Sequence, residues 1–203
     1  YSPTLGIPSV KEKIAASLNR RFGMNYTAGH IFPASGCAGA VAHALRVVTK
    51  PGDKVLVQAP FFPEYIPYIN DTGAQIEIIP ARFENFQINF EALEQMLQPG
   101  VAAILINSPN NPSGVAYTGE TLEKLSSLLA AKSKELGYNL FLISDEPYRE
   151  IAFGGREIPY PARFYPHTLT CYSFSKSLSV PGERIGYVAV CPECEHAEDI
   201  VPM

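Results

Sequence analysis

A continuous apolar run from Ala102 to Ile106 restricts the folds open to this chain more than any other feature. A strand that lacks alternating polar residues is typical of a parallel sheet buried on both faces. Further strand-like runs lie near residues 55, 75, 140, 168 and 185, and segments with helical patterns separate them. This alternation predicts an α/β protein, with a three-layer α/β/α arrangement around a mainly parallel central sheet.

Length and charge further limit the kinds of protein that this chain can be. A chain of 203 residues with 46% hydrophobic content can bury one sizeable core. Its formal net charge of -4 argues against nucleic acid or an anionic membrane as a partner. We find no apolar run that approaches the roughly 20 residues of a membrane-spanning helix. The sequence has a single C-x-x-C pair, so we expect reduced thiols, a cytoplasmic location and no metal.

The segment 173–186 carries the most specific chemistry in the sequence. It is predicted to be a polar turn between two apolar strands, and Arg184 follows Lys176 by eight residues. The lysine stands among three hydroxyls, those of Ser173, Ser175 and Ser177. An amine can form a Schiff base with a carbonyl cofactor, while hydroxyls and a guanidinium hold a phosphate. Pyridoxal phosphate requires this combination, whereas the plainer alternative is a surface lysine in a serine-rich loop.

Two other segments point to the same kind of site. The small residues Gly36, Cys37 and Ala38 are predicted to open a helix, whose free amides and dipole suit a phosphate. Asp145 follows an apolar strand, which is where open α/β sheets place site residues. Each feature alone also has a structural explanation, as a tight helix start and as a helix-capping aspartate.

Together these segments resemble the fold-type I pyridoxal-phosphate enzymes, the aspartate aminotransferase family. The resemblance covers nearly the whole chain, and its motifs occur in the family's order. They are Ser-x-x-Lys followed by Arg at 173–184, Asn-x-Pro-x-Asn-Pro-Ser-Gly at 107–114, Asp-x-x-Tyr at 145–148 and Tyr-x-Pro-x-x-Gly at 1–6. After the last of these, Ser9 is predicted to cap a helix that runs from Val10 to about Phe22.

The resemblance implies a role for each matching position. Lys176 forms the Schiff base and then carries the proton, and Asp145 pairs with the ring nitrogen of the cofactor. Phe62 is expected to stack on the ring, and Asn111 and Tyr148 to contact its phenolic oxygen. The phosphate is expected to bind Gly36, Cys37, Ala38, Ser173, Ser175 and Arg184, with Cys37 and Ala38 contributing backbone amides. Tyr1 is expected to reach the phosphate of a neighbouring subunit in a homodimer.

The implied function is an aminotransferase that moves an amino group from an amino acid to a 2-oxo acid. Two alternatives stay open: a carbon–sulfur lyase on the same scaffold, and a non-enzymatic ligand-sensing domain. In the family, a C-terminal small domain supplies the arginine that grips the substrate carboxylate, and Arg156 and Arg163 lie outside any matching motif. We therefore expect residues 1–203 to form the cofactor-binding large domain, without the small domain or the N-terminal arm. Such a chain would bind the cofactor but transaminate little.

Overall fold

The computed structural model describes residues 3–195 and 197. Within them, seven strands form one sheet: β1 Ile31–Ser35, β2 Lys54–Gln58, β3 Gln75–Ile79, β4 Val101–Asn107, β5 Phe141–Asp145, β6 Thr168–Ser173 and β7 Ile185–Val190. Their order across the sheet is β1-β7-β6-β5-β4-β2-β3. Strand β7 is antiparallel to both neighbours, and the other adjacent pairs are parallel. The mainly parallel sheet predicted from the sequence is confirmed.

Helices cover both faces of the sheet. In the described part of the chain they are α1 Pro8–Phe22, α2 Gly36–Val48, α3 Tyr65–Asn70, α4 Phe90–Met96, α5 Gly119–Leu136 and the single turn α6 Phe174–Ser177. The buried apolar side chains of α1, α2 and α3 share one core cluster, and those of α4 and α5 share another. On β2, Val55 and Val57 point to the first cluster and Leu56 to the second, because successive strand residues face opposite sides. The fold therefore has three layers, as predicted.

The sequence predicts a strand at Gln75–Ile79, a helix from about Gly119 to Leu136 and a strand at Ile185–Val190, and β3, α5 and β7 have these bounds. Three other local features differ from what the sequence predicts. Helix α1 begins at Pro8 and its N-cap is Ile7, so the expected capping by Ser9 was wrong. Proline occupies the first turn because its fixed φ suits a helix start and its missing N–H costs nothing there. Strand β1 was not predicted, and the turn around Lys176 contains the helix α6.

The register of the strands brings several predicted site residues together at one edge of the sheet, where the parallel strands end. Asn107 at the end of β4 pairs with Asp145 at the end of β5, and Asp145 pairs with Cys171 on β6. Ser173 then pairs with Gly186, close to Arg184 at the start of β7. Because β7 runs in the opposite direction, its first residues meet the last residues of its neighbours.

Among the described residues, no helix is both long and apolar enough to cross a membrane.

Candidate active site

A cleft of about 310 Å³ lies at this edge of the sheet. It is lined by ten of the residues predicted from the sequence: Cys37, Ala38, Phe62, Asn111, Asp145, Tyr148, Ser173, Ser175, Lys176 and Arg184. Gly36 adjoins the cleft through Arg184, whereas Tyr1 lies outside the described residues. A larger groove of about 830 Å³, lined in part by Lys134, Tyr138 and His167, contains none of the predicted site residues.

Asp145 is the buried acid of the cleft, with 6% of its surface exposed. The Cys37 thiol donates a hydrogen bond to Oδ1 at 2.7 Å, and the Tyr65 hydroxyl donates to Oδ2. Burial raises the pKa of Asp145 to about 6, although both hydrogen bonds act to lower it. This acid therefore holds its proton to a higher pH than an ordinary aspartate does.

A hydrogen-bonded loop holds Asn111 beside this acid. Asn107 ends β4, and its Nδ2 donates to the backbone oxygen of Asp145 at 2.9 Å. Its Oδ1 accepts the backbone N–H of Asn111 at 2.6 Å. The side chains of Asn111 and Tyr148 interact, and the Nζ atom of Lys176 lies 6.0 Å from the centre of the Tyr148 ring. Amide, phenol and amine are therefore grouped on one wall of the cleft.

The opposite part of the cleft is suited to an anion. Helix α2 begins at Gly36, and within the described chain its N-cap Ser35 makes no side-chain capping hydrogen bond. The first amides of the helix are therefore free of that partner and carry the positive end of the helix dipole. The Arg184 guanidinium lies beside them, donating to Ser35 O at 3.5 Å and to Pro181 O at 3.2 Å.

Tyr65 and the side-chain role of Cys37 were not predicted from the sequence. Cys37 was expected to offer only its backbone amide, yet its thiol contacts Asp145. Tyr65, three residues after Phe62, was not among the predicted site residues, and its hydroxyl also contacts Asp145. Both contacts join segments far apart in sequence, so no local pattern could have revealed them.

Two further polar residues, Glu64 and Tyr68, also line the cleft and were not predicted. The Tyr68 hydroxyl donates to Glu64 Oε2 at 2.7 Å. Burial, together with this carboxylate, raises the pKa of Tyr68 to about 12. The pair adds a negative charge to the wall that α3 contributes.

Among the described residues, no group of three or more His, Cys, Asp or Glu side chains could hold a metal ion.

Relatives of known sequence match nearly all or all of this chain. A probable aspartate/prephenate aminotransferase from Aquifex aeolicus is 33% identical, and the match covers 100% of this chain and 51% of the relative. The aspartate/prephenate aminotransferase of Thermus thermophilus is 31% identical over 92% of this chain and 47% of its own length. The chain thus spans about half the length of the curated relatives it matches.

Solved structures agree with these relatives. An amino transferase from Eubacterium rectale is 42% identical with a TM-score of 0.98, and the match covers 100% of this chain and 51% of that one. An aspartate aminotransferase from Thermus thermophilus, solved with maleate, is 30% identical with a TM-score of 0.87 and the same coverage. The family model described as "Aminotransferase class I and II" matches residues 1–201. This chain therefore belongs to the class I and II aminotransferases, a family that depends on pyridoxal phosphate.

Proposed function

We propose that this chain is the cofactor-binding part of an aminotransferase, which moves an amino group from an amino acid to a 2-oxo acid. The observation that carries the proposal is that Lys176 and Asp145 line one cleft, together with an arginine beside a helix N-terminus. An amine, a buried carboxylate and an anion site are the groups that hold and activate pyridoxal phosphate. The names of the relatives support the same activity.

The residues present fit the phosphate of this cofactor. A Cβ atom added to Gly36 would lie 2.5 Å from Nη2 of Arg184, so the guanidinium occupies the space that a side chain would fill. Arginine can bind a phosphate through two parallel hydrogen bonds, and helix amides add further donors. Ser173 and Ser175, which line the same cleft, would supply hydroxyls.

The residues around Asp145 fit the ring of the cofactor. An ionised Asp145 would pair with the ring nitrogen and keep it protonated. Phe62 lines the cleft and presents an aromatic surface that can stack on a flat ring. Asn111 and Tyr148, which interact with each other, would contact the phenolic oxygen.

The chain's own residues then perform the proton chemistry. When bound, pyridoxal phosphate supplies an electron-withdrawing ring that accepts the electron pair released at the substrate Cα. The Nζ atom of Lys176 takes the Cα proton and later returns it, because an amine held in reach can act as base and then as acid. Asp145 keeps its charge in a site shielded from water, where one fixed charge acts strongly.

Borohydride trapping tests this proposal. The protein is incubated with pyridoxal phosphate, reduced with borohydride, digested and mapped by mass spectrometry. We expect the label on Lys176 and no label in a Lys176→Ala variant. A label on Lys54 or Lys132 instead would contradict the site.

Activity assays distinguish the two candidate reactions. Aspartate is the first amino donor to assay, since relatives named for it match the chain. Release of ammonia and pyruvate from a cysteine conjugate would indicate a lyase.

We also propose that the protein acts as a homodimer in which Tyr1 reaches the neighbouring site. Apolar side chains of the segment before and at the start of α1 are exposed, with Leu5 60% and Ile7 48% accessible. Ile185, 51% exposed, pairs with Ser35 on β1, the edge strand of the sheet. A contiguous exposed apolar patch marks an interaction surface, and we propose that these groups belong to one.

Sedimentation velocity tests the homodimer. We expect a dimer that Ile7→Asp weakens, while Phe83→Ser leaves it intact because Phe83 follows β3 at the opposite edge of the sheet. A monomer at every concentration would contradict the proposal.

Two further assignments belong to the same proposal. Residues 1–203 would form the cofactor-binding large domain. The described strands form one sheet, and the described helices pack on its two faces through two core clusters. The protein would act in the cytoplasm, because its four cysteines are free and three of them are buried. Unpaired thiols suit a reducing compartment. Limited proteolysis tests the first assignment, and imaging of a tagged protein in cells tests the second.

A further inference from the structure

The two carboxylate oxygens of Asp145 are held by neutral donors from two different helices. Cys37 belongs to the first turn of α2, and its Sγ atom lies 2.7 Å from Oδ1. Tyr65 begins α3, is 1% exposed and donates its hydroxyl to Oδ2. Both helices pack on the same face of the sheet. The fold thus fixes the direction of this carboxylate through two neutral donors.

The surroundings keep the Cys37 thiol protonated. Burial raises the pKa of Cys37 well above its ordinary value, and the negative charge of Asp145 raises it further. A thiol of this kind is a poor nucleophile, because the thiolate is the reactive form. Its available chemistry is therefore the hydrogen bond that it donates.

We propose that Cys37 is a positioning residue, whose thiol holds the Asp145 carboxylate ionised and directed into the cleft. The inference rests on the proposed function, because it concerns how Asp145 meets the cofactor. A hydrogen bond to the charged form of an acid favours ionisation, and burial opposes it. Without the thiol, Asp145 would hold its proton to a higher pH. A neutral carboxylic acid would no longer counter the charge of a protonated ring nitrogen.

Other titratable groups surround Asp145 without hydrogen bonds to its carboxylate. They come from every neighbouring element: Cys171 on β6, Glu146 and Tyr148 after β5, Tyr68 on α3, and Lys176 and Arg184 on the cleft wall. Glu146 is balanced by its ion pair with Arg149. Among the described residues, Cys37 and Tyr65 are the side chains that hydrogen-bond to this carboxylate.

The test compares Cys37→Ala and Cys37→Ser with Cys171→Ala as a matched control. Cys171 is buried, whereas Cys37 is partly buried, and it pairs with Asp145 across the sheet, but its thiol is not one of the donors to the carboxylate. Either substitution by alanine removes one sulfur atom from the neighbourhood of Asp145. Only removal of Cys37 takes a donor away from Asp145.

The first measurement is the unfolding of the cofactor-free protein across a series of pH values. The difference in unfolding free energy between a protein with Asp145 and its Asp145→Asn counterpart reports the titration of this acid. We expect Cys37→Ala to move the titration midpoint upward by about one pH unit. Cys37→Ser should restore it, and Cys171→Ala should destabilise the protein without moving the midpoint.

The second measurement is the affinity for pyridoxal phosphate near neutral pH. We expect Cys37→Ala to weaken binding roughly tenfold, with recovery in Cys37→Ser. An unchanged midpoint in Cys37→Ala, or an equal shift in Cys171→Ala, would overturn the proposal. The first measurement needs no cofactor, so a failure of wild-type protein to bind pyridoxal phosphate would count against the proposed function alone.

If Cys37→Ala does not fold, the infrared S–H stretch of the wild-type protein decides the question. The band that disappears in Cys37→Ser is assigned to Cys37. A frequency below that of the other thiols supports the hydrogen bond to Asp145. A frequency equal to theirs overturns the proposal.

Discussion

Gly36 and Arg184 are in direct contact at the start of α2, and both have left-handed backbone conformations. Their φ angles are 71° and 52°. A Cβ atom on residue 36 would lie 2.5 Å from Nη2 and 2.8 Å from Cζ of Arg184. Glycine at position 36 therefore serves two purposes. It tolerates the positive φ without cost, and it leaves room for the guanidinium.

Gly36→Ala should accordingly displace Arg184 and weaken binding of pyridoxal phosphate, on the order of tenfold. Backbone strain should also cost about 1 kcal/mol of stability. Gly137→Ala is the matched control, since Gly137 has a φ of 78° and an added Cβ would have no described atom beyond its neighbours within 4 Å. We expect the control to lose stability but keep its affinity. Equal affinities for the two variants in an equilibrium titration would contradict a role for this contact.

Arg184→Lys should weaken cofactor binding although the charge is kept. A planar guanidinium can hold two phosphate oxygens and its carbonyl contacts at once, whereas an ammonium offers a point contact. The loss of one charge-assisted hydrogen bond corresponds to roughly tenfold to a hundredfold in affinity. Fluorescence titration with pyridoxal phosphate measures it. Arg82→Lys, at an exposed site away from the cleft, should change nothing. An Arg184→Lys protein with wild-type affinity would rule out the phosphate role.

The stability of the cofactor-free protein should fall with rising pH because of Asp145. Burial raises its pKa from 3.8 to about 6 in the folded chain. Between these values the folded chain binds more protons than the unfolded chain, so stability is lost as pH rises. A shift of about two units corresponds to about 3 kcal/mol.

Urea unfolding at about pH 4 and about pH 7.5 measures this effect. Relative to Asp145→Asn, the wild-type protein should lose stability over the interval. Asp71→Asn, on the surface, should keep the wild-type dependence. A wild-type protein that parallels Asp145→Asn throughout would show that Asp145 is not the group responsible.

Arg149→Met should destabilise the protein strongly. The Arg149 guanidinium donates to buried Glu146 at 2.8 Å and lies over the rings of Phe22, Tyr160 and Tyr172. Burial alone would lower the pKa of Arg149, but Glu146 together with the hydroxyls of Tyr187 and Tyr160 outweighs it and raises the pKa. Removing the cation would leave Glu146 unpaired in the core, at a cost of about 3–5 kcal/mol.

The double variant Glu146→Gln with Arg149→Met should recover part of that loss, because it removes the unpaired charge. Arg46→Met, which breaks the exposed pair with Asp71, should cost less than about 1 kcal/mol. Chemical denaturation compares the three proteins. If the single Arg149 variant is as stable as the Arg46 variant, the buried pair does not stabilise the fold.

The local sequence determined where several strands and helices of this protein begin and end. The apolar runs specified β3 Gln75–Ile79 and β7 Ile185–Val190, and a helical pattern specified α5 Gly119–Leu136, with their observed bounds. Strand β1 was missed because Pro33 interrupts it, and proline within a sheet is tolerated at an edge strand such as β1. Helix α6 was missed because a single turn is too short to show a period.

The residues of the candidate site also fall into two groups, those that the sequence identified and those that only the tertiary structure revealed. Lys176, Asp145, Asn111 and Arg184 could be identified because each stands in a short motif with fixed spacing. The contacts of Cys37 and Tyr65 with Asp145 could not, since they join residues 108 and 80 positions apart. Strand and helix periods follow from the geometry of a few neighbouring residues. Which helices meet the end of β5 follows instead from the order of strands and the packing of α2 and α3 on one face, and only the tertiary structure decides that.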